Sequence, residues 1–332
     1  MMNNRREFLK TAAAVGATAM LPGVRLIAQN ARARAGRIDV HHHMMPRFQP
    51  GNNLRDWSPQ MSLDTMEKFG ISTAILSEVQ IPEYLNDGSE QARAMARKIN
   101  EYGAQLAKDY PGKFGFFASI MLADVEGSLK EIEYAFGTLK ADGVVINSSA
   151  AKKWPGEISM MPIYEELNRR KASVLIHPNT QPFCCQNPLG VNPSMTEYDF
   201  DMNRAVLSLL LGGVMTECPE VKFIIVHSGG TVPVLAGRVQ DRVPKNRPDL
   251  FPTGALDKLK AQYYECAHAA FPWTMAALRA FTTTDHIMFG TDWPMEPAES
   301  TTNQIPGLKL PPDILYAMER GNAERLFPRF KS

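Results

Sequence analysis

His41 and His43, two apart in Ile38-Asp39-Val40-His41-His42-His43, join His177, His227 and Asp292 at or just beyond the ends of short apolar runs. Those runs are Ile38 to Val40, Ser173 to Ile176, Lys222 to Val226 and Ile287 to Phe289. Imidazole and carboxylate suit a divalent cation, Zn²⁺ above all, with Mn²⁺ or Fe²⁺ as other matches. Residues two apart on a strand share a face, so His41 and His43 can converge while His42 points away. A polar residue at the end of a buried strand is held rigidly yet faces the rim where loops and solvent meet. One histidine alone is more often structural or simply exposed. Five coincident placements instead point to a metal-dependent catalytic centre.

The elements that must position these residues alternate. Strand-like runs are Arg37 to His41, Thr73 to Ser77, Phe114 to Ser119, Gly143 to Ile146, Ser173 to His177, Lys222 to His227, Gln262 to Cys266 and His286 to Phe289. Between them, apolar residues recur three or four apart, as in Glu90 to Lys108, Ser128 to Leu139, Met161 to Arg170, Asp201 to Cys218 and Trp273 to Phe281. Eight strand–helix units predict an α/β fold of the (β/α)₈ TIM-barrel type, with the site at the carboxyl ends of the strands. A doubly wound sheet shares the alternation, but its Gly-rich phosphate loop is missing; Gly229-Gly230 lacks the full dinucleotide pattern. The Pro- and Asn-rich stretch from Phe183 to Thr196 reads as a long loop after the fifth strand, well placed to shape a pocket.

Lysine plus arginine number 36 against 35 acidic residues, with no basic block beyond the N-terminus, so nucleic-acid binding is not suggested. Cysteines 184, 185, 218 and 266 lack the Cys-x-x-Cys spacing of a structural zinc site and read as buried free thiols. Adjacent Cys184 and Cys185 are expected to stay unpaired with each other, because disulfide geometry is restrictive. Arg5-Arg6 precedes a mildly apolar run from Thr11 to Val24, and Ala-x-Ala patterns follow between Ala31 and Ala35. The segment resembles a twin-arginine export signal. Residues 1–35 are therefore read as a removable signal and 36–332 as the barrel domain, with a periplasmic location and no permanent membrane anchor.

Four motifs carry a family resemblance: Ile38-Asp39-Val40-His41-His42-His43-Met44-Met45-Pro46, Ile176-His177-Pro178, Val226-His227-Ser228-Gly229-Gly230 and Phe289-Gly290-Thr291-Asp292-Trp293-Pro294. They resemble the amidohydrolase superfamily, and within it the aminocarboxymuconate-semialdehyde decarboxylase branch, especially 6-methylsalicylate decarboxylase-like proteins. The likeness extends to Asn100-Glu101-Tyr102, Ala236-Gly237-Arg238 and the closing Gly321-Asn322-Ala323-Glu324-Arg325-Leu326-Phe327. It implies that His41, His43, His177 and Asp292 hold one divalent metal and that His227 is the acid–base group. It also implies that Arg238 binds a substrate carboxylate, in some relatives across a dimer interface, and hence a homodimer. His268 is a further candidate for substrate contact, and Arg204 a weaker one. Binuclear relatives place a lysine or glutamate at the end of strand four, where this chain has Ile146-Asn147-Ser148; Lys152 and Lys153 lie further into the loop, so one metal is expected.

Two chemistries use these five residues. The preferred one is non-oxidative decarboxylation of a small aromatic or unsaturated carboxylic acid such as a salicylate, with His227 delivering a proton and no organic cofactor. The alternative is hydrolysis of a lactone, ester or amide, with metal-bound water as nucleophile and His227 as general base. A third possibility, an inactive barrel used only for binding, sits poorly with an intact ligand set.

Overall fold

The computed structural model describes residues 36–49, 56–78, 87–179 and 190–331. The expected export segment at 1–35, and Phe183, Cys184 and Cys185, lie outside the described residues. From Gly36 onward the elements run β1 (Arg37–His43), α1 (Pro59–Lys68), β2 (Ile71–Ser77), α2 (Glu90–Asp109), β3 (Phe114–Ser119), α3 (Val125–Tyr134), β4 (Gly143–Asn147) and α4 (Met161–Arg169). They continue with β5 (Ser173–His177), α5 (Glu197–Leu211), β6 (Lys222–Ile225), α6 (Val232–Asn246), β7 (Tyr263–Glu265), α7 (Pro272–Phe281), β8 (Ile287–Met288) and, among short C-terminal turns, α8 (Asn322–Leu326). Among the described residues no helix is long and apolar enough to cross a membrane.

The eight strands are parallel and hydrogen-bonded in the order β1 to β8. Ladder pairing stops at β8, and the seam to β1 is closed by single bonds. The Val40 N–H donates to Phe289 O at 3.1 Å, and the His43 N–H to Trp293 O at 2.7 Å. The result is the predicted (β/α)₈ barrel. Strands β3 and β5 are buried at every residue, because a parallel strand lies between the barrel interior and a covering helix. That two-sided burial explains why the strands read as unbroken apolar runs.

Helix ends follow local chemistry. Ser89 accepts from the Ala92 N–H at 3.1 Å to start α2, and Asp124 accepts from the Gly127 N–H at 3.0 Å to start α3. Each such cap is worth about 1 kcal/mol. The helix expected over Asp201 to Cys218 begins earlier, at Glu197, and breaks at Gly212-Gly213, where Gly213 takes φ +85° before a short turn over Val214–Glu217. At the barrel's amino end, Arg320 Nη1 donates to Gly36 O at 2.7 Å and Asn322 Nδ2 to Ile287 O at 2.6 Å. The closing segment thus ties the chain's end to β1 and β8, on the face of such barrels that serves stability.

Candidate metal centre

Each of three histidines has one ring nitrogen engaged by an acceptor. His41 Nδ1 donates to Glu265 Oε1 at 2.9 Å, and His177 Nδ1 to the Pro178 carbonyl at 2.8 Å. His43 Nδ1 lies 3.0 Å from Ser77 Oγ and 3.3 Å from the Ser77 carbonyl. A carbonyl or carboxylate can only accept, so in the neutral rings Nδ1 carries the hydrogen and Nε2 presents its lone pair. The Nε2 atoms converge: His41 and His43 are 3.1 Å apart, and Asp292 Oδ1 lies 2.7 Å from His43, 3.2 Å from His41 and 3.8 Å from His177. One donor atom from each of these four residues falls within 4.8 Å of the others.

Lone pairs crowded round a carboxylate repel one another unless something positive lies among them. Burial opposes charge on His41, yet Asp292 and Glu265 outweigh it and push its pKa up to about 10. Burial pulls the His177 ring down to about 3 and keeps His43 below the usual histidine range. Asp292 is buried, which opposes ionisation, but the surrounding imidazoles, His41 foremost, hold it well below the usual carboxylate range. His177 Nε2 is buried without a hydrogen-bond partner, as an unused ligand atom would be. Three imidazoles and one carboxylate are a donor set for a first-row divalent cation.

His227 opens a tight turn just past β6. The expected strand over Lys222 to His227 ends at Ile225, because His227 and Ser228 take φ +54° and +56° and swing the chain off the sheet. The His227 N–H donates to Glu265 Oε1 at 2.6 Å, and its Nε2, also buried without a hydrogen-bond partner, lies 3.4 Å from Asp292 Oδ2. His268 (φ +56°) places Nε2 at 3.1 Å from the same oxygen, so it is drawn into the cluster while its side chain stays partly exposed. Asp292 itself takes φ +62°. Backbone of this kind costs of order 1–3 kcal/mol per residue and persists only where surrounding contacts impose it.

Glu265, the end of β7, was not singled out from the sequence. Its carboxylate accepts from His41 Nδ1, the His227 N–H and, at 2.6 Å, the Ala267 N–H. Gly290 makes room for it, since a Cβ there would lie 2.1 Å from Glu265 Oε2 and 2.8 Å from His41 Cβ. A carboxylate at the end of an apolar, strand-like run was the available signal. Asp39 plays a similar part behind the site, receiving the Thr291 hydroxyl at 2.6 Å and lying 3.0 Å from His42 Nδ1.

The other candidates lie elsewhere. His42 points away as expected, with Nε2 at 3.1 Å from Ser62 Oγ and its ring stacked on Trp293 at 5.1 Å. That stacking gives Trp293 a packing role behind the cluster. Lys152 and Lys153 are exposed in the turn after β4. Arg238 is exposed on α6 and is not brought to the cluster within one chain. Arg204 is part-buried on α5 with Nη1 lacking a hydrogen-bond partner. Cys218 and Cys266 are buried free thiols, as expected.

A sequence model of the amidohydrolase family matches residues 38–329. The chain belongs to that family. A model of the twin-arginine signal sequence matches residues 2–22, which indicates export of this amidohydrolase by the twin-arginine route. The chain is 32% identical over 328 residues to a decarboxylase of Penicillium terrestre, covering 89% of this chain and 96% of that protein. It is 32% identical over 316 residues to 6-methylsalicylic acid decarboxylase of Penicillium expansum, covering 89% and 97% respectively. Among solved structures, dihydroxybenzoic acid decarboxylase of Polaromonas sp. JS666, with bound manganese and 2-nitroresorcinol, superposes with a TM-score of 0.74 at 20% identity, covering 90% of this chain and 98% of that one.

Proposed function

We propose that this amidohydrolase is a metal-dependent, non-oxidative decarboxylase of aromatic carboxylic acids of the salicylate class, acting in the periplasm. The observation that carries the reading is the convergence of His41, His43, His177 and Asp292 beside a buried His227 Nε2 that lies 3.4 Å from Asp292 Oδ2 and has no hydrogen-bond partner. The 32% identity to a 6-methylsalicylic acid decarboxylase supports the same substrate class. His41, His43, His177 and Asp292 hold one divalent ion, Zn²⁺ or Mn²⁺. When bound, that ion supplies Lewis-acid stabilisation of negative charge on the phenolate and carboxylate oxygens.

The chain's residues do the rest. Glu265 fixes the His41 ring and the His227 backbone with one oxygen, so donor set and proton carrier keep a constant spacing. His227 delivers a proton to the ring carbon that bears the carboxylate. The bond between that carbon and the carboxylate breaks, its electron pair stays on the ring, CO₂ leaves, and the ring carbon keeps the proton. His268 and Asp292 sit alongside and keep His227 facing the mouth.

Arg238 belongs, in this reading, to a contact between two copies of the chain, where its planar guanidinium pairs with the substrate carboxylate in the other copy's mouth. Val234, 74% exposed one turn earlier on α6, and Trp273, 72% exposed on α7, supply apolar area for that contact. Replacing Arg238 by Ala is expected to raise KM with little loss of kcat. The deciding experiment incubates metal-loaded protein with hydroxybenzoates and lactones and follows CO₂ and ring-opened acids separately. CO₂ from salicylates is expected; ring-opened acid alone would replace this reading by hydrolysis.

A further inference from the structure

The two oxygens of Asp292 face different partners. Oδ1 lies among His41, His43 and His177, whereas Oδ2 lies 3.1 Å from His268 Nε2 and 3.4 Å from His227 Nε2. His227, His268 and Asp292 form a second group of donors that shares Asp292 with the first, again within 4.8 Å of one another. The two rings meet edge to face with centroids 5.5 Å apart, and His227 Nε2 is buried without a hydrogen-bond partner. A further acidic residue lies close by. Asp199, near the start of α5, lies within the electrostatic reach of His227 and His268. Gly230 lets the backbone of the turn that carries His227 pack closely on that of Asp199, since a Cβ there would lie 2.5 Å from the Asp199 carbonyl oxygen.

We propose that His227, His268 and Asp292 Oδ2 form a second divalent-cation site, weaker than the first and inhibitory, with Asp199 as the nearest additional negative charge. The proposal rests on the assignment of the first ion to His41, His43, His177 and Asp292. Two imidazoles and a carboxylate match the same class of first-row cation, and the positions they leave open fall to water. Asp292 bridges the two sites, so the second ion meets the repulsion of the first and binds more weakly, by about 10²-fold or more. Its effect on the reaction follows from one atom. An ion held by His227 Nε2 occupies the nitrogen that carries the proton, so excess metal stops turnover without displacing the tight ion.

Cobalt(II) titration of the metal-free full-length chain, read by visible absorption and by metal analysis, tests this. The wild type is expected to fill one tight site and then a second at higher concentration, with turnover falling over the second phase. His268→Asn is the first variant, because Asn tolerates the left-handed backbone at this position and offers only a poor amide ligand. His268→Ala is the second. Both are expected to keep the tight phase and lose the weaker one. A wild type with no second phase at millimolar cobalt overturns the proposal, as does a second phase that persists in both variants. Turnover unchanged while the second phase fills overturns its inhibitory role. If the tight phase is absent from the wild type, or vanishes with His268→Asn, the assignment of the first site has failed and the proposal falls with it.

Discussion

Glu265 Oε1 accepts from Nδ1 of His41 at 2.9 Å, with both side chains fully shielded from solvent. A carboxylate behind a ligating imidazole raises the ring's basicity and fixes its orientation. Replacing Glu265 by Gln is therefore expected to weaken metal binding by about 10–100-fold, measured by competition with a chelator. An unchanged affinity would remove Glu265 from the account of the site.

His227 and His177 are expected to differ when each is replaced by Ala. Loss of His227 should leave one ion per chain and lower kcat by about 10²–10⁴-fold, the usual contribution of a positioned proton carrier. Loss of His177 should remove both ion and activity. Metal analysis alongside steady-state rates distinguishes the two, and an empty site in the His227 variant would make His227 a ligand.

Metal uptake is expected to release one proton. In the metal-free chain His41 stays protonated to about pH 10, because Asp292 and Glu265 outweigh the effect of burial, while His177, lowered to about 3, is neutral near pH 7. His43 is lowered as well and Asp292 is already ionised, so His41 alone must give up a proton. Affinity should then fall about tenfold for each pH unit below about 10. Calorimetry in buffers of different ionisation enthalpy counts the proton, and a count of none or two contradicts the scheme. The same shift carries a stability sign. His41 is raised above 6.5, so its contribution to the metal-free fold is complete below that value and is lost as pH climbs through about 10.

Changing Arg5 and Arg6 together to Lys is expected to block export through the twin-arginine machinery and leave the full-length chain in the cytoplasm. Fractionation and N-terminal sequencing read the outcome. Unimpaired export of the double variant by that machinery would show that the pair is not the signal.

The strands were legible because burial on both faces writes them as apolar runs, and His41, His43 and His177 were legible because they end such runs. The turns at His227, His268 and Asp292 were not, since apolar patterning carries no record of a positive φ. Glu265 was hidden for a related reason. Two of its partners are contributed by β1 and by the turn after β6, contacts that form only when the strands assemble. Helix α6 was obscured by its own composition: Pro233 is tolerated in the first turn, but Gly237 and Pro244 interrupt the helical pattern, so Arg238 could not be assigned to a helix face.

The barrel's first and last staves, β1 and the two-residue β8, meet without a ladder, joined by bonds such as that from the His43 N–H to Trp293 O at 2.7 Å. His41 and His43 stand on one side of this joint and Asp292 on the other, so a bound ion would act as a clasp across it. Cation binding should then tighten the joint more than the far wall. Amide hydrogen exchange at Val40, His43 and Asp292 is expected to slow on metal loading more than at Val144 and Val145 of β4. The whole chain should meanwhile gain stability by mass action, about 4 kcal/mol at a thousandfold excess over the dissociation constant. In a protein exported already folded, the ion would serve as a fastening before it serves as a catalyst.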